Sequence, residues 1–71
     1  MNEKEYLIEL GNNIKRIRQK RKISQVELAD VCNFEKQNMQ RIEAGKTNPT
    51  VKTLLKIAQA LEISVIELFK F

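Results

Sequence analysis

The sequence predicts an all-α protein built as a five-helix bundle. Apolar residues recur at spacings of three and four along most of the chain, which is the period of amphipathic helices, and no segment has a strand pattern. Helix-capping residues stand where these periodic segments begin, and only two glycines and one proline interrupt the chain. Because the connections are short, we expect residues 1–71 to form a single domain.

The first helix is predicted over residues 3–20 by a continuous apolar stripe. Four side chains recur there at helical spacing, and they are Leu7, Leu10, Ile14 and Ile17.

The middle of the chain is predicted to form a helix-turn-helix. Ser24 with a glutamate three residues later is a capping-box pattern, so a second helix begins here and runs to about Val31. Asn33 accepts the left-handed conformation that a tight turn requires. A third helix over residues 35–44 then stops at Gly45, since glycine is common just after a helix. The expected inward side chains of the two helices are Leu28, Ala29, Met39 and Ile42.

Two further helices complete the predicted bundle. After a polar loop, Thr50 caps a fourth helix, whose apolar positions are Leu54, Ile57, Ala58 and Leu61. Ser64 and Glu67 have the spacing of a second capping box, which predicts a short last helix carrying Leu68 and Phe69.

The outer face of the third helix points to a function. At 100° per residue, the side opposite Met39 and Ile42 carries no acid and consists of Gln37, Gln40, Arg41 and Ala44. Glutamine can bond both polar groups of adenine, and arginine can do the same for guanine, in a major groove that admits an α-helix. The alternative is an ordinary solvated helix face, although such faces usually mix glutamate with lysine.

Arg18 provides an independent check on this arrangement. It falls inside the apolar stripe of the first helix, and an unpaired charge is expensive to bury. Glu43, on the inward flank of the third helix, is the expected partner. In the alternative, the Arg18 side chain extends to solvent.

Composition argues against catalysis. The chain has no histidine, the commonest general base and metal ligand, and Cys32 is its only cysteine, so we expect no catalytic site, no metal and no cofactor. The formal charge of +4 suits a polyanionic partner. We find no bilayer-spanning stretch and no secretory signal, so the expected location is the cytoplasm, on the nucleoid.

The chain resembles the lambda repressor/Cro-like helix-turn-helix regulators, the XRE family, from about residue 10 to residue 69. The resemblance rests on residues 14–18 (IKRIR), 23–29 (ISQVELA), 41–46 (RIEAGK), 48–49 (NP) and 54–61 (LLKIAQAL). It implies a lambda repressor-like DNA-binding domain of five helices. It also implies a regulator of transcription, with repression as the expected mode, that binds double-stranded DNA and is not an enzyme.

The resemblance also assigns site residues. It implies base contacts from the start and outer face of the third helix, at Lys36, Gln37, Gln40 and Arg41. It implies phosphate contacts at Gln25, Lys46, Thr47 and Asn48. It places an internal ion pair at Arg18 and Glu43.

Three positions depart from the family pattern. Asn33 and Lys22 stand where glycine is usual, so the corner at Lys22 must either strain or take another path. Glu35 stands where a small hydroxyl residue usually caps the recognition helix. Its carboxylate suits the helix dipole, and it would either accept a hydrogen bond from cytosine N4 or lower the affinity for DNA.

The last helix is too short to bury all of its apolar residues. We expect Ile66, Phe69 and Phe71 to form an exposed patch that closes a homodimer, and the alternative is a tail folded back onto its own core. A dimer would place two recognition helices about 34 Å apart on a near-palindromic operator. No membrane partner and no small-molecule ligand are expected. The second hypothesis for function is a protein-interaction module of antitoxin or adaptor type on the same fold.

Overall fold

The computed structural model describes all 71 residues and contains four α-helices and one C-terminal 3-10 helix. In chain order these are α1 (Glu3–Lys20), α2 (Gln25–Cys32), α3 (Lys36–Glu43), α4 (Val51–Ala60) and the 3-10 helix (Val65–Phe69). No strand is present, so the predicted all-α fold is confirmed. The fifth of the predicted helices is of the tighter 3-10 type.

Polar side chains cap the starts of α1, α2 and α4. Asn2 and Thr50 each accept a hydrogen bond from the amide three residues on. The predicted capping box of α2 is complete, since the Ser24 hydroxyl accepts from the Glu27 amide at 3.0 Å and the Ser24 amide donates to Glu27 Oε1 at 2.8 Å. The hydrogen bonds from the Ser24 amide and hydroxyl hold the pKa of the Glu27 carboxyl below its ordinary value.

The prediction of a second capping box at Ser64 is wrong. The Ser64 hydroxyl accepts from the Ile66 amide at 3.4 Å, two residues on, and the Glu67 carboxylate pairs with Lys70 Nζ at 2.6 Å instead. A 3-10 helix has three residues per turn, so its first amides are placed differently from those of an α-helix.

Twelve apolar residues form one buried core, to which every helix contributes. The core contains all the inward positions predicted for α2, α3 and α4, while Leu7 and Ile17 at the ends of the α1 stripe are only half-buried. Its members are Leu10, Ile14, Leu28, Ala29, Cys32, Met39, Ile42, Leu54, Ile57, Ala58, Leu61 and Leu68.

A glycine lets α1 and α3 approach closely. A Cβ added at Gly11 would lie 2.5 Å from the carbonyl oxygen of Glu43 and 2.6 Å from that of Ile42. Any side chain at this position would therefore push the C-terminal end of α3 away from α1. Gly11 thus allows α3 to pack against α1 as well as against α2.

The corners between helices use left-handed backbone. Asn33 has φ +59° between α2 and α3, as predicted, and Gly45 has φ +72° just after α3. Lys22, before α2, has φ +58°, so this corner takes the strained path although its residue is not glycine. Glu62, after α4, also has φ +59°, which the sequence did not indicate.

Candidate nucleic-acid interface

One side of α3 is buried in the bundle and the other is exposed. Met39, Ile42 and Glu43 face the interior, and Glu43 is the only acidic residue within the helix. The side chains on the other side are all exposed, and they are Lys36, Gln37, Gln40, Arg41 and the adjoining Ala44. Asn38 is exposed as well, so the solvent side of α3 carries two cations and three amides and no carboxylate.

A buried ion pair joins this helix to α1. Arg18 Nε donates to Glu43 Oε2 at 2.7 Å, and a second guanidinium nitrogen donates to Glu43 Oε1 at 3.1 Å. The third nitrogen donates to the carbonyl oxygen of Ile23 at 2.8 Å, so each guanidinium nitrogen has a partner. Arg18 thus lies inside the bundle rather than extending to solvent, and it ties the end of α3 to α1 and to the corner before α2.

Gln25, expected at a phosphate, also belongs to this network. The Gln25 side chain is half-buried at the first position of α2, and its Nε2 donates to Glu43 Oε1 at 3.0 Å. The second N–H of this amide group remains available to another acceptor. The sequence did not indicate the contact between Gln25 and Glu43, because a neutral amide at a helix start, unlike a charge in an apolar stripe, does not require a buried partner.

An open groove runs along the start of α3. Glu35, which precedes α3 with extended backbone, is exposed and its side chain makes no capping hydrogen bond. The groove is lined by Asn33, Phe34, Glu35, Gln37, Asn38, Arg41 and Thr47. Lys46 and Asn48, on either side of Thr47, are exposed. Two residues expected at bases, Gln37 and Arg41, and one expected at a phosphate, Thr47, therefore line the same groove, and the other expected contacts lie outside it.

The helix-turn-helix family model matches residues 14–68, which is most of the chain and includes α2 and α3 in full. The chain belongs to this helix-turn-helix family.

Its relatives agree with that assignment. An HTH-type transcriptional regulator of Sinorhizobium fredii, y4dJ, is 39% identical over 59 residues, which are 83% of this chain and 77% of that protein. An immunity repressor of Bacillus phage phi105 is 41% identical over 56 residues, which are 79% of this chain and 39% of the repressor. SinR, a master regulator of biofilm formation solved in complex with DNA, is 32% identical with a TM-score of 0.79, over 86% of this chain and 98% of that one. The predicted class, a lambda repressor-like regulator of transcription, is confirmed.

The C-terminal segment of this helix-turn-helix protein is held to α1 by a residue that sequence reasoning missed. Asn13 is buried, and its Nδ2 donates to the carbonyl oxygens of Glu67 and Leu68 at 3.0 and 2.7 Å. Its Oδ1 accepts from Arg16. The partners of Nδ2 lie 54 and 55 residues away, so no local pattern in the sequence could have revealed them.

The apolar residues of this segment are largely exposed. Ile66 is 63% exposed, Phe71 43% and Phe69 38%, while the ring of Phe71 packs edge-on against Tyr6 with centroids 5.0 Å apart. The tail is therefore partly folded back onto α1 and still presents apolar surface. Further exposed apolar residues, Val51 and Leu55, lie on α4.

The remaining groups of chemical interest in the helix-turn-helix chain are possible metal ligands and one free cysteine. No cluster of three or more histidine, cysteine, aspartate or glutamate side chains is placed to hold a metal ion. Cys32 is buried, and its Sγ lies 3.7 Å from the carbonyl oxygen of Lys56. Burial raises the pKa of this thiol above its ordinary value, and Lys56 offsets only part of the rise.

None of the helices combines the length and the apolar character that crossing a membrane requires.

Proposed function

We propose that this protein is a sequence-specific repressor that inserts α3 into the major groove of double-stranded DNA. The observation that carries the proposal is the exposed, acid-free side of α3. An α-helix fits the major groove, and amide and guanidinium tips match the polar edges of adenine and guanine. We assign base contacts to Lys36, Gln37, Gln40 and Arg41. The protein acts by binding and not as an enzyme.

Contacts to the DNA phosphates would hold α3 in register on the duplex. The N-terminus of α2 presents backbone amides beside Gln25, and such amides favour an anion. We assign phosphate contacts to Gln25, whose side chain bonds Glu43 at the end of α3, and to Lys46, Thr47 and Asn48 in the loop after α3. Phosphate contacts position a protein on DNA, while base contacts carry the sequence preference. The Arg18–Glu43 pair and Gly11 keep α3 packed against α1 for both sets of contacts.

The repressor is proposed to act as a homodimer. The exposed apolar residues Ile66, Phe69 and Phe71 would be covered by the same residues of a second copy, and the exposed Val51 and Leu55 on α4 would add to this interface. Two copies of α3 would then enter successive major grooves about 34 Å apart on a near-palindromic operator. Residues 1–71 would form one DNA-binding domain without a small-molecule ligand. Binding to chromosomal DNA would place the repressor in the cytoplasm, on the nucleoid.

A selection from a random duplex pool, followed by a salt titration on the enriched operator, tests the function. We expect one enriched sequence, with log K falling against log salt by about 0.9 per phosphate contacted. The absence of salt-dependent binding to any duplex would favour the protein-interaction module over the repressor.

A single substitution tests the assignment of α3 as the recognition helix. Gln37→Ala should cost about 1–3 kcal/mol of binding free energy on the operator and relax the preference at one base pair. Gln59→Ala is the matched control, because Gln59 is an exposed amide on α4. An equal loss of affinity on every sequence would mean that Gln37 contacts only the DNA backbone.

A further inference from the structure

Glu35 is an acidic residue with no partner in the protein. Its side chain is exposed, accepts no hydrogen bond and forms no salt bridge. Four other glutamates have partners, since Glu43 pairs with Arg18, Glu62 with Arg21 and Glu67 with Lys70, and Glu27 closes the capping box of α2. The unpaired glutamates besides Glu35 all lie on α1. The Glu35 carboxylate therefore keeps its full capacity to accept hydrogen bonds.

Glu35 lines the groove that two of the proposed base contacts also line. Glu35 is the only acid among the residues that line the groove, which include Gln37 and Arg41. Glu35 and Arg41 line the same groove and yet form no salt bridge with each other. Neither charge neutralises the other, so both side chains remain available to a ligand that fills the groove.

The hydrogen-bond donors that bases present in the major groove determine which base an ionised carboxylate can bind. An ionised carboxylate only accepts hydrogen bonds, so phosphate oxygens repel it and bases without an amino group in the major groove give it no donor. Cytosine N4 and adenine N6 are the two donors that the major groove offers. Adenine carries the N7 acceptor beside its amino group, which repels a carboxylate, whereas the cytosine edge presents only the donor.

We propose that Glu35 is a specificity-determining residue, which accepts a hydrogen bond from cytosine N4 at one base pair of the site that α3 reads. The proposal rests on the proposed function, because it requires α3 to enter the major groove. Glu35, which departs from the family pattern, would then contribute to sequence preference. The hydrogen bond from cytosine N4 would offset the repulsion between its carboxylate and the DNA phosphates, and no such bond forms at other bases.

The test is a selection from a random duplex pool with three proteins, which are the wild type, Glu35→Gln and Glu9→Gln. The last variant is the matched control, because Glu9 is also exposed and unpaired but borders a different groove, beside Phe71. We expect the wild type and Glu9→Gln to enrich cytosine at one position by about 5-fold or more, the lower end for a good base contact. Glu35→Gln should lose that preference, or move it to adenine, which glutamine bonds well.

Competition binding with four operators, differing only at that position, measures the same preference quantitatively. Both variants should keep the helix content of the wild type, since neither side chain makes a hydrogen bond or a salt bridge in the fold. Glu35→Gln should lower the equilibrium constant for folding by less than about 5-fold, which is less than about 1 kcal/mol, because it removes only a charge at the N-terminus of α3. Retention of the cytosine preference by Glu35→Gln, with an equal rise in affinity on all four operators, would overturn the proposal and leave Glu35 as a repulsive charge. Failure of the wild type to enrich any sequence would instead overturn the proposed function, and this inference with it.

Discussion

Removing one partner of the Arg18–Glu43 pair should destabilise the protein far more than removing both. The side chains are only 9% and 3% exposed, and the guanidinium makes two hydrogen bonds to the carboxylate. With Glu43→Leu, Arg18 keeps only the carbonyl of Ile23 as a partner, and its charge stays buried. With Arg18→Met, the Glu43 carboxylate keeps only the amide of Gln25.

The size of the expected loss in free energy of unfolding follows from the burial of the Arg18–Glu43 pair. Leaving one charge of a buried pair uncompensated costs about 3–5 kcal/mol, whereas replacing both partners by apolar residues of similar volume is often neutral. If the two substitutions acted independently, the double variant would lose about 6–10 kcal/mol, which is most of the stability of a domain of this size. We expect the double variant to lie within about 2 kcal/mol of the wild type instead.

Urea unfolding followed by far-UV circular dichroism measures the four free energies of unfolding in this cycle. The exposed Arg21–Glu62 pair, with a separation of 3.7 Å and side chains 41% and 82% exposed, provides the control. Arg21→Met should change the free energy of unfolding by less than about 1 kcal/mol. Equal, small losses from Arg18→Met and Arg21→Met would refute the reasoning, as would a double variant whose loss equals the sum of the two single losses.

Three further substitutions test local features of the fold. Gly11→Ala should cost about 1–3 kcal/mol, because its methyl group would overlap the carbonyls at the end of α3, and it should weaken DNA binding as α3 moves. Lys22→Gly should raise the free energy of unfolding by up to about 1 kcal/mol, since glycine adopts φ +58° without strain. Glu27→Gln should destabilise at neutral pH, and its difference from the wild type should vanish in acid. The folded-state pKa of Glu27 is lowered, so the carboxylate stabilises above the unfolded pKa and loses this effect as pH falls through the folded pKa.

Urea unfolding measures the stability of all three variants, and for Glu27→Gln the measurement is repeated at several acidic pH values. A Gly11→Ala variant as stable as Asn12→Ala, its exposed neighbour on α1, would show that the helices can separate without cost. A loss of stability in Lys22→Gly would mean that the lysine side chain contributes more than its backbone strain costs. If the effect of Glu27→Gln were the same at all pH values, the capping hydrogen bonds would not depend on the ionised carboxylate.

Helix positions and inward faces could be predicted from the sequence because they depend on neighbouring residues. Hydrogen bonds within a helix and caps such as Ser24 and Thr50 act over three or four residues, so their signals are local. Arg18 could be matched with Glu43 despite a separation of 25 residues, because a charge in an apolar stripe requires a partner. The 3-10 form of the last helix was missed because Ser64 and Glu67 have the spacing of an α-helical capping box, which the structure does not form.

The amino-acid sequence by itself determined the all-α class, the helix-turn-helix and the acid-free side of α3, since all of these follow from periodicity within single segments. Only the tertiary structure decided that Gly11 meets the end of α3, that Asn13 holds the C-terminal carbonyls, and that Glu35 remains unpaired in the groove beside Arg41. Each of these depends on distances between segments far apart along the chain. Such distances are set when the helices pack, and no pattern within one helix contains them.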